Sequence, residues 1–231
     1  MKGLGKYLLG LVYPDLCEVC GRSLVSGEEV LCLHCLDSLP RTGAHGHEFN
    51  LLHKRLASTT PVEKAAGYFH YYRESPYVDI IHRAKYGGRP ELIEKMARRY
   101  ARELADTGFF DGIDAIAPVP LHRLKQWRRG YNQSRYIAAG ICSIVPLPVV
   151  DNLVASRGHA SQTSSGVFAR WLNAGNVYDV RRPRELDGLH LLVVDDVITT
   201  GATLLACCNA IKSAAPSCRV SVLTLAVAHM S

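Results

Sequence analysis

Apolar positions along this chain follow two periodicities, one helical and one of continuously buried strands. After Pro90, Ile93, Met96, Ala97, Tyr100 and Leu104 recur at spacings of three and four, while Glu94, Lys95, Arg98, Arg99 and Arg102 face away. That pattern predicts an amphipathic helix, which Asp106-Thr107-Gly108 stops. Ser75-Pro76 offers an N-cap and a first-turn proline to a preceding helix that Gly87-Gly88 ends. Residues 64–73 are rich in aromatics and read as a strand, and residues 49–56 as a helix. The remainder alternates: strand at 113–119, helix at 132–143, short strand at 147–154, buried strand at 189–194, helix at 202–214 and a last strand at 219–227. Such alternation, with uncharged apolar strands, predicts an α/β fold whose parallel sheet is covered on both faces. Residues 156–178 contain Gly, Ser, Gln and Asn with no acid, and a connection of that length is a candidate lid.

Residues 1–48 read as a separate unit and residues 49–231 as the main domain. A chain of 231 residues suits one domain with a small appendage. Its 48% hydrophobic and 21% charged content excludes disordered and collagen-like classes. No apolar run reaches the roughly 18 residues that a membrane-spanning helix needs. A net charge of +6 permits phosphate-bearing partners without naming one. Residues 2–13 are the one stretch resembling an export signal, but Pro14-Asp15 follows in place of a small-x-small cleavage site. A short packing helix and a reduced, cytoplasmic location are therefore expected.

Four of the eight cysteines form two Cys-x-x-Cys turns, Cys17/Cys20 and Cys32/Cys35, eleven residues apart. Each turn brings two thiolates toward one metal, and four soft anionic ligands suit a closed structural zinc site. Gly21 lets the first turn tighten, and His34 lies within the second knuckle and is expected to point outward.

The densest chemical signal is the run from Leu191 to Thr203, four apolar residues, Asp195-Asp196, Val197-Ile198, then Thr199-Thr200-Gly201-Ala202-Thr203. A strand expected to end in two carboxylates precedes a hydroxyl-rich turn that opens a helix, where unpaired N–H groups hold phosphate. Carboxylates beside a phosphate are reasonable if they meet sugar hydroxyls or a metal ion. By composition alone the same residues also suit an ordinary turn, with Thr199 or Thr200 as N-cap. Residues 115–150 lack any acid but carry Arg123, Lys125, Arg128, Arg129 and Arg135. Trp127, Tyr131 and Tyr136 interleave with these cations, the mixture that single-stranded nucleic acid uses for stacking. The basic face of the helix after Pro90 could extend that path, whereas His122 is read as a polar pocket neighbour.

The run from Leu191 to Thr203 resembles the phosphoribosyl-pyrophosphate signature of type I phosphoribosyltransferases in every position. The four-cysteine unit, Lys85-Tyr86-Gly87-Gly88-Arg89, Pro118-Val119-Pro120-Leu121-His122-Arg123 and Arg128-Arg129-Gly130-Tyr131-Asn132-Gln133 resemble the ComF-type competence proteins. The resemblance implies that Asp195 and Asp196 bind ribose hydroxyls, and that residues 197–203 wrap the 5′-phosphate of phosphoribosyl pyrophosphate with magnesium. It assigns Arg157, Gln162 and Arg170 to the lid, although Gly158-His159-Ala160-Ser161 departs from the usual lid pattern, while the concentrated charge of residues 115–150 independently suits Arg123 and Arg128 to pyrophosphate. It further implies a part in DNA uptake, handling single-stranded DNA through Lys125, Trp127, Arg129, Tyr131 and Arg135, alongside other competence proteins. The alternative is an active phosphoribosyltransferase of nucleotide salvage or biosynthesis, whose acceptor and catalytic residues the sequence does not identify.

Overall fold

The computed structural model describes residues 14–44, 49–72, 74–155 and 177–228, without the side chains of residues 123–125. Its centre is a four-stranded, all-parallel sheet of β1 (Ala65–Tyr71), β2 (Ala115–Pro118), β5 (His190–Ile198) and β6 (Arg219–Ala228), in the order β1-β6-β5-β2. Registers Val194↔Leu223 and Val194↔Pro118 place the end of β2 and the middle of β6 beside the carboxylate pair of β5.

Alternate residues of the central strands feed two apolar layers, as the two-residue repeat of a strand requires. Leu192, Val194, Leu223 and Leu225 meet one layer. It is built from α3 (Val78–Tyr86), α4 (Glu91–Ala105) and α6 (Gln133–Cys142). Leu191, Val193 and Val222 meet the other, under α2 (Leu51–Ala57) and α7 (Ala202–Ala214). A two-stranded antiparallel sheet, β3 (Leu153–Ala155) with β4 (Tyr178–Val180), closes this second side. The helix expected after Pro90 buries the expected stripe of Ile93, Met96, Ala97, Tyr100 and Leu104.

The cysteine unit contributes α1 (Leu33–Asp37) and packs Val30, Leu31, Leu36 and Leu39 into the same layer as α3 and α4. Three expectations change. Ser75 is not the cap of α3; Ser75, Pro76 and Tyr77 form a turn in which Val78 N–H donates to the Ser75 carbonyl at 3.0 Å. The segment 147–154 is not one strand, because Val149 only bridges Ile116 before the chain turns into β3. Strand β5 does not end at the carboxylates but carries them and continues to Ile198, held by Val197↔Ala226 and Ile198↔Val227. The polar periodicity also hid the seven-residue helix α5 (Arg123–Arg129). The N-terminal helix and the candidate lid, with Arg157, Gln162 and Arg170, lie outside the described residues.

The crossing of α4 and α6 depends on a missing side chain. A methyl on Gly140 would stand 2.9 Å from Ala97 Cβ and collide with the Glu94 carbonyl. Gly140→Ala is therefore expected to destabilise the protein by about 1–3 kcal/mol despite its better helix propensity, measurable by urea unfolding.

Candidate functional site: a carboxylate pair beside a cationic cleft

Adjacent positions on β5 send the two carboxylates in opposite directions, and each finds a different partner. Asp196 accepts a salt bridge from Lys85 Nζ at 3.0 Å. Lys85 stands on the last turn of α3. Asp195 Oδ1 accepts from Ser134 Oγ at 3.2 Å and from the Asp196 backbone N–H at 2.9 Å. Ser134 is aimed there because Asn132 caps α6, accepting from Ser134 N–H at 3.0 Å while its own amide donates to the Val119 carbonyl at 2.9 Å. Burial, and then the charge of Asp196, push Asp195 up to about 7, against the lowering effect of the Asp196 N–H, Lys85 and Ser134.

Beyond Ile198 the chain turns through exposed Thr199 and Thr200 into α7. Gly201 opens that helix with φ 84°, a left-handed conformation that strains any side chain. Ala202 N–H donates to Thr200 Oγ1 at 3.3 Å across a local turn, but the N-cap is Gly201 and not Thr199 or Thr200. From α2, Arg55 donates to the Thr199 carbonyl, and Leu56 lies against Gly201, so α2 braces the turn. Thr203 is exposed on the first helical turn and Ile198 is buried beneath it.

A cleft of about 520 Å³ opens next to this pair, lined by Lys85, Tyr86, Gly88, Arg128, Arg129 and Tyr131. The Arg129 guanidinium lies 5.1 Å from the Tyr86 ring centroid and donates to Gln133 Oε1 at 3.2 Å. Gln133 is buried, and its Nε2 has no partner among the described residues. Tyr131 is half-buried and donates to the Ala84 carbonyl at 2.7 Å, whereas Trp127 is 84% exposed beside the cleft-lining Arg128. Arg135 pairs with Asp151 at 2.6 Å and is not among the lining residues. On α4, Arg98 and Arg99 are engaged by Glu29, Glu94 and Glu103. The side chains of Arg123 and Lys125 lie outside the described residues. A second cavity of about 610 Å³ lies where β1, β5 and β6 begin, at the other end of the sheet. Its Lys64 is already bonded to the carbonyls of Gly108, Phe109 and Asp111.

Sequence reasoning found the carboxylates and arginines but assigned no role to Lys85, Ser134 or Arg55. Lys85 directly precedes Tyr86-Gly87-Gly88 and Ser134 directly follows Asn132-Gln133, so their motifs were visible. Arg55 carries no local signal, because only the sheet brings it to Thr199.

The four thiols Cys17, Cys20, Cys32 and Cys35 lie within 4.8 Å of one another. Cys20 and Cys32 sulfurs are 3.7 Å apart, close to the roughly 3.8 Å separating sulfurs at tetrahedral zinc with bonds of about 2.3 Å. Cys32 N–H donates to Cys17 Sγ, the backbone support that a thiolate ligand needs. Burial raises the Cys17 thiol, yet N–H groups of Cys20, Cys32 and Val19 outweigh it and bring the thiol to about 7. Burial and the neighbouring sulfurs push Cys35 far up instead. Four thiolates cannot coexist there without a cation, and the donor set fits structural zinc.

A family model, Phosphoribosyl transferase domain, matches residues 131–230, from the start of α6 through β6 and including the turn at Thr199–Thr203. The DNA utilization protein YhgH of Escherichia coli is 28% identical over 201 residues, covering 85% of this chain and 83% of its own. Competence protein F of Haemophilus influenzae is 29% identical, covering 81% of this chain and 86% of its own. The chain carries the phosphoribosyltransferase fold and is similar to these competence and DNA-utilization proteins. Among solved structures, hypoxanthine phosphoribosyl transferase of Trypanosoma cruzi is 18% identical with a TM-score of 0.36, covering 59% of this chain and 64% of that one. That overlap is too loose to bear on the site. No helix among the described residues is long and apolar enough to cross a membrane.

Two outcomes are expected. Cys17→Ser should lose bound zinc, measured by elemental analysis, and with it most soluble protein; folded, metal-free variant would refute a structural metal. Because the folded state holds the Asp195 proton up to about pH 7 and the unfolded chain releases it near pH 4, this group's contribution to stability falls between those values as pH rises. Asp195→Asn keeps an acceptor for Ser134, so it should raise Tm by about 3–6 °C at pH 8 and change it little at pH 4.

Proposed function

We propose that this protein binds phosphoribosyl pyrophosphate with magnesium at the Asp195–Thr203 turn, and serves DNA uptake in the cytoplasm by guiding single-stranded DNA across the adjoining cleft. One observation carries the reading. Lys85 belongs both to the cleft and to the carboxylate pair, through its 3.0 Å contact with Asp196. A ligand with hydroxyls at one end and phosphates at the other satisfies both halves. The ribose hydroxyls would donate to Asp195 and Asp196, and backbone N–H groups from Gly201 to Thr203 would take the 5′-phosphate. Arg128 and Arg129 would face the pyrophosphate, for which their planar forks suit them. Magnesium would screen the two phosphates from the carboxylates.

For the strand, Trp127 and Tyr86 supply exposed rings, and Lys85, Arg128 and Arg129 supply charge. The names of the two bacterial relatives, DNA utilization protein and Competence protein F, agree with that use. A part among other competence proteins follows from the same reading.

Titration calorimetry with phosphoribosyl pyrophosphate and magnesium is expected to give binding by wild type and none by Asp195→Asn/Asp196→Asn. No binding by the folded, zinc-loaded wild type would overturn the phosphosugar half. Single-stranded DNA affinity should fall with salt at a logarithmic slope of about −2, as three cationic contacts require, and weaken about tenfold in Trp127→Ala. Binding indifferent to salt and to Trp127 would overturn the DNA half. Pyrophosphate release on adding a nucleobase would instead make the protein a transferase.

A further inference from the structure

Glu18 lies between the two ligands of the first knuckle, and its carboxylate is only 6% exposed. It is held between two guanidinium groups, Arg83 of α3 and Arg89 just beyond the Gly87-Gly88 turn, the latter at 2.6 Å. Arg83 stands two residues before Lys85, and its carbonyl accepts from Gly87 N–H at 2.8 Å, closing the end of the helix. At the other end of α3, the N-cap residue Tyr77 donates its hydroxyl to the Cys35 carbonyl at 2.6 Å. The first knuckle thus grips the end of α3 that bears Lys85, and the second knuckle grips its start.

We infer that Glu18 is a positioning residue through which the four-cysteine unit sets the placement of Lys85 against Asp196. Each arginine also holds a second acid, and the two acids stand on different elements. Asp79 lies 3.9 Å from Arg83 on its own helix, and Glu91 lies 3.2 Å from Arg89 at the start of α4. Without the carboxylate between them the guanidinium groups repel and each turns to its own acid, releasing the turn that follows Lys85. Metal at the cysteines fixes the knuckle that carries Glu18, so its effect reaches a carboxylate on the central strand by four named contacts. This goes beyond the proposed ligands, because the Lys85–Asp196 contact exists whatever binds there.

The test uses Glu18→Gln in zinc-loaded full-length protein and reads the rate of Lys85 acylation by mass spectrometry, with amide exchange across residues 80–89. The expected result is one bound zinc, Lys85 acylated about tenfold faster, faster exchange at 80–89, and unchanged protection of β5. Zinc-loaded Glu18→Gln with wild-type Lys85 reactivity would overturn the inference. Should that variant lose zinc or the protection of β5, Arg89→Gln decides, since it leaves the knuckle intact. Faster Lys85 acylation in it supports the relay, and wild-type reactivity refutes it. Neither readout needs phosphoribosyl pyrophosphate to bind, so failure here is distinct from failure of the proposed function.

Discussion

Two carboxylates side by side on an interior strand are electrostatically unfavourable, and the surroundings of β5 are arranged around that cost. Asp195 meets it by holding its proton toward neutrality, and Asp196 by pairing with Lys85. The pairing requires α3 to end where it does, and the hydroxyl on Asp195 requires α6 to begin where Asn132 caps it. Both helices converge on the carboxyl ends of parallel strands, where an open α/β sheet leaves a crevice. A sheet serving only as scaffold would gain stability from apolar residues at both positions. Their presence therefore costs stability at this point of the sheet.

The cysteine unit answers a different constraint. Residues 14–44 are too few to enclose a core, so the pair of cysteine knuckles shares the layer of α3 and α4. Its polar contacts with the rest of the chain include Glu18 with Arg83 and Arg89, the Cys35 carbonyl with Tyr77, and Glu29 with Arg98. Several of these reach α3, the helix that delivers Lys85. The unit is in this sense a brace for one wall of the cleft rather than a bead tied to the sheet.

The sheet was legible in the sequence because its strands are uncharged apolar runs, and α4 because its stripe has full helical period. The cysteine cluster and the Asp195–Thr203 turn were legible as spacings. What escaped notice depends on long-range placement or on weak local signal. Helix α5 has only Leu124 and Trp127 as apolar residues, so its sequence carries no helical apolar stripe. The end of β5 was misplaced because charged residues look like a strand's end, yet its ladder continues through Val197 and Ile198. Arg55 sits 144 residues from Thr199 in sequence, and Lys85 more than a hundred from Asp196, so neither partnership has a local trace.

The site's two halves carry opposite signs, and that restricts what fits. A purely anionic ligand drawn in by Lys85, Arg128 and Arg129 would meet the Asp195–Asp196 pair and be repelled at close range. A neutral polyol would satisfy the carboxylates but leave the arginines solvated and unused. The proposed ligand, with hydroxyls and phosphates a few bonds apart, would meet acceptors and donors in that order, and a divalent cation would ease the boundary between them. Lys85 sits on that boundary. With Asp196 as its partner it is a half-buried, paired cation; were a phosphate to approach, the same ammonium would have a second anion to choose. On the proposed reading, exchange of one partner for the other would free Asp196 for a hydroxyl, and Lys85 would couple the two halves of the site.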